Sequence, residues 1–470
     1  MSGLAPHPTA PGISPAAPPR RASARRAIAA ATIGNALEFF DLALYALMAT
    51  YIGRTFFPDD DPGVQLVQTF AVFGMTYLIR PIGGLLLGSY ADRKGREKAL
   101  LLSIRLMVLG TALMAFMPGY ATLGFVAPLG VVLARLVQGF AAGGEFGAAT
   151  SFLVERDSRR KAFFGSLQFA GQGLATVLAS GFATGLTAVL SDARMTAWGW
   201  RVPFVFGLLV GPAGYVLRRY VEESPALVRA RDGPERSGRT PSRGGAPSRG
   251  GTPSRGGTPS HDGMPSHGGP PSPIRSVFRH HWGGLLLAGG ALMVSTALTY
   301  SLQYLPTFAI KELGLDDSLS FAALLLPGTI LTLGTPVVGL LADRVGRLRI
   351  MIPAAALIGL SAVPLFVWLT HAPSFLTLAL CMTVLGLLKA AYFGALPSVM
   401  SDAFPVASRA TGLAFSYHTT VALFGGFTPT IAASLAKATG SQISPSYYLL
   451  AVSLLSITAL VGGHRICGIR

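Results

Sequence analysis

Glu38 and Asp41 stand three residues apart in the stretch GNALEFFD, inside a long apolar run. On a helix that spacing sets both carboxylates on one face. Two acids side by side in an apolar layer resist ionising together, so such a pair is suited to taking up and releasing a proton. The alternative is a structural pair of ion partners. Arg135 lies in RLVQGFAAGGEFG, with Gln138 one turn later. A guanidinium stays charged, so in a buried position it must face a carboxylate such as Glu38 or Asp41, or an anionic ligand. Lys389 sits in LGLLKAAYFGALP with no acid nearby in sequence. Three placements fit it: against a substrate carboxylate, against Glu38 or Asp41, or at the rim of the apolar layer. His418, in SYHTT, is either a neutral hydrogen-bonded histidine or part of a proton relay. Gln168, Gln172, Tyr300, Gln303 and Tyr304 either line a cavity with these groups or bond neighbouring helices together.

The elements that position these groups follow from composition. Of 470 residues, 51% are hydrophobic and 13% charged, and the mean hydropathy is +0.51. A soluble chain carries about 25% charged residues. Twelve apolar stretches approach or exceed the roughly 20 residues that a bilayer-crossing helix needs. They run over about 27–52, 64–90, 99–117, 124–150, 162–188, 199–218, 282–308, 319–342, 350–370, 374–398, 408–435 and 446–464. They lack the polar faces of a soluble helical protein. The fold class is therefore an all-α integral membrane protein with the lipid bilayer as its partner. Ionisable groups at the centre of that layer cost roughly 2.5–3.5 kcal/mol each, so each demands a reason. Snorkelling to the interface accounts for Arg105, and for Arg80 only in part. Glu145 either pairs with loop arginines or takes part in a gate.

Basic residues collect before the first stretch (Arg20, Arg21, Arg25, Arg26) and between the second and third (Arg93, Lys94, Arg96, Lys98). They recur between the fourth and fifth (Arg156, Arg159, Arg160, Lys161) and the eighth and ninth (Arg344, Arg347, Arg349). The opposite connections hold acids such as Asp59, Asp60, Asp61, Asp316 and Asp317. The basic side is expected in the cytoplasm, with both termini, in a cell inner (plasma) membrane. The net charge of +17 is then topogenic, and no nucleic-acid partner is expected. Between the sixth and seventh stretches, Pro-Ser recurs every six residues from Pro241 to Pro271. That Gly/Ser/Pro/Arg composition cannot bury a core. The expected organisation is a disordered cytoplasmic tail (1–26, with no cleaved signal), a six-helix bundle (27–225), a disordered hexad linker (226–278) and a second six-helix bundle (279–470). Cys381 and Cys467 suit neither a disulfide nor a zinc site. No Gly-Lys dipeptide, no G-x-S-x-G and no metal-spaced His/Cys/Glu cluster occurs. Neither an enzyme nor a need for a cofactor or metal is expected.

GSYADRKGREK (Gly88–Lys98) and GLLADRVGRLR (Gly339–Arg349) share G-x-x-x-D-R-x-G-R, each after the second stretch of its half. Recurrence at equivalent positions points to an internal duplication of six helices with a site between the halves. In each copy a glycine, Gly95 or Gly346, makes a tight turn, and Asp92 or Asp343 lies near a helix end. With Gly88, Arg93 and Arg96 in the first copy and Arg344 and Arg347 in the second, they form a candidate gating motif that pairs across to the other bundle. Anchoring by positive charge explains the arginines but not the fixed glycine and aspartate spacing.

This loop motif resembles that of the major facilitator superfamily. GNALEFFD, LIRPIGG (Leu78–Gly84), RLVQGFAAGGEFG, WGWRVPF (Trp198–Phe204) and EESP (Glu222–Pro225) are similar to its metabolite:proton symporter family. The resemblance covers all twelve stretches. Within that family, YFGALPSVMSDAFPVASRATG followed by FGGFTP looks most like the citrate and tricarballylate carriers. The resemblance implies the major facilitator fold and proton-coupled symport of a small organic anion, a di- or tricarboxylate such as citrate, by alternating access. The alternative cargo is a zwitterion such as proline or betaine. Glu38 and Asp41 match the family's acidic pair, and R-x-x-Q-G at Arg135 is associated with proton coupling, whereas Lys389 and His418 depart from the pattern. The proton-coupling candidates are thus Glu38, Asp41, Arg135 and His418. The substrate-binding candidates are Lys389, Arg135, Gln168, Gln172, Tyr300, Gln303 and Tyr304. The carrier is expected to act as a monomer on protons and its anion.

Overall fold

The computed structural model describes residues 21–94, 96–143, 145–208, 277, 279 and 281–467. The first 20 residues and the hexads lie outside the described residues. Twelve helical spans follow one another. In the first half, α1 is Arg21–Leu47 continued by Ala49–Phe56 across a 65° bend, α2 is Pro62–Leu78 continued by Arg80–Lys94, and α3 is Arg96–Phe116. α4 is Val126–Ala142 continued by Glu145–Val154, α5 is Lys161–Val189, and α6 is described over Val202–Leu208. The second half holds α7 (Trp282–Leu313), α8 (Asp317–Ala323 and Leu325–Val345), α9 (Arg347–His371) and α10 (Phe375–Asp402). α11 is Arg409–Thr420, a π-helical turn Val421–Gly426 and Thr428–Thr439, and α12 is Ser444–Cys467. Eight spans are long and apolar enough to cross a bilayer outright; α1 qualifies with its bent continuation, and α3 and α4 contribute shorter apolar helices.

The ends and breaks have local causes. Asp61 caps α2 by accepting from the N–H groups of Gly63 and Val64, with Pro62 at the first helical position. α2 breaks at Ile79, where Pro81 has no N–H for the carbonyl of Tyr77 and disfavours helical geometry at the residue before it. Gly346 separates α8 from α9 at φ +108°, a conformation that side chains rarely adopt, so the second loop motif needs its glycine there.

Within the halves α2 and α3 pack on α4, and α9 packs on α10 and α12. Between the halves α5 runs along α8 and α10, α2 along α11, and α1 touches α7. Exchanging the halves turns the α2–α11 contact into the α8–α5 contact, the symmetry that an internal duplication demands. With hydrocarbon outside, such crossings depend on close packing by small residues. A methyl group on Gly173 of α5 would lie 2.6 Å from the backbone nitrogen of Thr332 and 2.8 Å from the carbonyl oxygen of Gly328, both on α8. Overfilling a packed contact costs about 1–3 kcal/mol. Gly173→Leu is therefore expected to lower uptake at least tenfold in protein that still inserts. Wild-type rates would show that the halves do not need this approach.

Candidate functional site

Asp41 of α1 is buried, and three side chains converge on its carboxylate. Arg135 of α4 donates to Oδ2 at 3.1 Å, Gln138 Nε2 donates to the same oxygen at 2.7 Å, and Thr111 of α3 donates to Oδ1 at 3.2 Å. Arg135 also donates to Gln138 Oε1 at 2.7 Å, and its guanidinium lies 4.2 Å from the ring centroid of Tyr45. The R-x-x-Q spacing serves this purpose: positions i and i+3 on one face bring both donors to one acid. Every one of these groups belongs to the first half; Nε and Nη2 of Arg135 make no hydrogen bond.

A second charged pair is looser. Arg80 is 1% exposed, and its Nη2 lies 3.8 Å from Glu38 Oε1, beyond hydrogen-bond length. Nε and Nη2 of Arg80 make no hydrogen bond, and the guanidinium stands 4.5 Å from the Tyr77 ring centroid. Tyr300, Tyr417 and His418 of the second half lie within range of its charge. Tyr300 and Tyr77 share a hydroxyl–hydroxyl bond of 2.7 Å across the halves. Neither ring nitrogen of buried His418 makes a well-formed hydrogen bond. Lys389, on α10, is buried as well. No carboxylate among the described residues pairs with it; its Nζ stands 5.3 Å from the centroid of Phe393, which stacks on Phe169 of α5 at 4.0 Å.

The halves touch at both ends. At the end with acidic loops, Tyr51 donates to Asp317 at 2.8 Å and Lys437 pairs with Asp61. At the basic end, Asp402 receives Lys161 at 3.0 Å and also Arg347, while Arg409 pairs with Glu155 at 2.8 Å. Asp343 accepts from the N–H groups of Ala162 and Phe163 at 2.9 and 3.0 Å, so the second loop motif caps the start of α5 in the other half. Contacts between the halves are thus made at both ends. The Lys437 ammonium, with the N–H groups of Gly63 and Val64, holds the Asp61 carboxyl below the usual carboxylate range. A lowered acid keeps its pair intact above its ordinary value, near 4, and loses it as pH falls through the lowered value. Labelling of a cysteine placed beside this pair is thus expected to stay constant from about pH 8 to 5 and to rise only below about 4. A rise near neutral pH would refute that latch.

Residues 27–464 match the sugar (and other) transporter family. The chain belongs to that family. A transporter of the major facilitator superfamily, it is a multi-pass membrane protein and not an enzyme. It is 33% identical over 442 residues to the citrate-proton symporter of Salmonella typhi, covering 93% of this chain and 94% of that one. It is 31% identical over 436 residues to the glycine betaine/proline/ectoine/pipecolic acid transporter OusA of Dickeya dadantii, covering 92% and 82%. The partially occluded, inward-open xylose transporter XylE of E. coli shares the fold, with a TM-score of 0.66 at 14% identity over 95% of this chain and 98% of that one.

In this transporter the polar candidates divide. Gln168 and Asn35 bind one another reciprocally, Asn35 donating to the Gln168 carbonyl at 2.7 Å and Gln168 Nε2 to Asn35 Oδ1 at 2.8 Å, which staples α5 to α1. Gln172, beside Tyr417, and Gln303 are buried, and among the described residues Gln303 Oε1 has no hydrogen-bond partner. Tyr304 meets the edge of Phe70 across the halves. Arg344 is exposed. Gly95 and the side chains of Gly88, Asp92, Arg93, Arg96 and Glu145 lie outside the described residues. Arg80 is the group that sequence reasoning undervalued. Its nearness to a basic loop suggested snorkelling in part, whereas it is buried beside Glu38 and Tyr77.

Proposed function

We propose that the protein is a proton-coupled symporter of a small organic anion, a di- or tricarboxylate, working by alternating access in the cell inner membrane with both termini in the cytoplasm. The observation that carries the cargo class is Lys389: a buried ammonium with no acid partner among the described residues is costly unless a ligand supplies the opposite charge. Among the described mid-membrane groups Arg80, Arg135 and Lys389 outnumber Glu38 and Asp41 by one positive charge. A dianion entering with one proton leaves that layer neutral. Tyr300, Tyr304, Gln172 and Gln303 surround the cargo, and the acidic pair Glu38 and Asp41, with Arg135 and Gln138, carries the proton. The citrate-proton symporter among the relatives supports this reading, and the placement of basic loops supports the orientation.

A zwitterion is the second reading, supported by the 31% identical betaine and proline transporter. Uptake of radiolabelled citrate, tricarballylate, proline and glycine betaine by membrane vesicles, with and without a proton gradient, separates the two. Gradient-driven citrate or tricarballylate accumulation is the expected result. Betaine accumulation that is indifferent to Lys389 would sink the anion reading.

A further inference from the structure

The two buried acid–base pairs of the first half are built differently. Asp41 is held by three donors inside one bundle. Glu38 meets Arg80 only at ion-pair distance, and the Nη2 nearest to it makes no hydrogen bond. Both guanidinium groups sit over a tyrosine ring and both keep unbonded N–H groups, but among the described residues only Arg80 has groups of the opposite half within range of its charge. A cargo bound between the halves therefore meets Arg80 and not Arg135. Arginine's fork binds a carboxylate through two parallel N–H groups, and Arg80 has buried N–H groups to offer.

We infer that Arg80 is the second carboxylate-binding cation of the cargo site and that Glu38 competes with the cargo for it. With Glu38 ionised, the arginine is engaged. A proton added to a Glu38 oxygen removes that carboxylate's charge and frees the guanidinium for a cargo carboxylate, so proton and anion load together. Release runs in reverse: Glu38 loses its proton, reclaims Arg80, and expels the anion. The charged and titratable groups facing this exchange are Tyr77 on α2, Tyr300 on α7, Tyr417 and His418 on α11, and Arg135 on α4, with Gln172 of α5 beside Tyr417. Arg80 and Lys389 then take separate carboxylates of one molecule, which selects cargo with at least two acid groups. This assignment rests on the anion reading above.

The test is citrate binding to purified full-length protein by calorimetry from pH 5.5 to 8, for wild type, Glu38→Gln, Arg80→Gln, Arg80→Lys and the double variant Glu38→Gln/Arg80→Gln. Glu38→Gln is expected to bind citrate at least tenfold more tightly than wild type at pH 7.5, with only the pH dependence of citrate itself remaining. Arg80→Gln is expected to bind at least tenfold more weakly at every pH, with Arg80→Lys in between. The double variant removes both charges of the pair, so it keeps the comparison valid if Arg80→Gln alone misfolds; it is expected to bind as weakly as Arg80→Gln. Citrate binding at wild-type affinity in the double variant, or a wild-type pH slope in Glu38→Gln, overturns the exchange while leaving the anion reading standing. Wild-type protein that binds glycine betaine and no citrate overturns both.

Discussion

Asp41→Asn is expected to abolish uphill accumulation of cargo while exchange of labelled for unlabelled cargo across the membrane partly survives. The amide keeps the shape of the acid but carries no exchangeable proton, and it leaves the Arg135 charge uncompensated in a site with no exposure. Removing one partner of a buried pair costs about 3–5 kcal/mol, so loss of stability has to be separated from loss of coupling. The double variant Asp41→Asn/Arg135→Gln does this, since it is expected to regain the melting temperature but not accumulation. Vesicle uptake with an imposed pH gradient, beside counterflow without one, reads both. Full accumulation by Asp41→Asn would leave the coupling proton on Glu38 alone or move it to His418.

The second large effect belongs to Lys389→Met. Removing one member of a buried charge pair in a complex costs roughly 2–5 kcal/mol, which is about 30-fold or more in affinity, so carboxylate binding should fall by at least that factor. The unliganded protein should move the other way. An ammonium facing Phe393, with no acid among the described residues, is replaced by an apolar chain of similar length, so the melting temperature should rise. A lysine that served to pair with a helix acid would give the opposite sign, a fall in stability on substitution. Lys389→Arg keeps the charge and should keep weak binding.

Composition and period made the architecture legible. Spans such as 319–342 and 350–370 fall inside the observed Asp317–Val345 and Arg347–His371, because an apolar run must be helical in hydrocarbon. The duplicated loop motif announced two halves, and Asp343 shows the contact that its fixed spacing serves. What stayed hidden was pairing. From spacing alone Arg135 could face an acid or an anionic ligand, and only the crossing of α1 and α4 commits it to Asp41 and Gln138. Gln168 looked like a cavity residue because a glutamine reads alike whether it meets cargo or Asn35. Arg80 stayed open between snorkelling and burial because a hydrophobic pattern does not record which way a side chain near the end of a span turns; it is buried beside Glu38.

On the proposed anion reading, the charge on Lys389, which no carboxylate among the described residues matches, has an electrical consequence. When the halves rock, the empty carrier takes one net positive charge through part of the membrane field, whereas a carrier loaded with a dianion and a proton takes none. A full crossing of one charge is worth about 2.3 kcal/mol per 100 mV. With the interior negative, the return of the empty carrier to the outside is the step that works against the voltage, and loaded entry is indifferent to it. Membrane potential would then act as a brake on recycling at low cargo supply and lose its grip as the site fills, so that the current follows the carrier's own lysine and not its cargo.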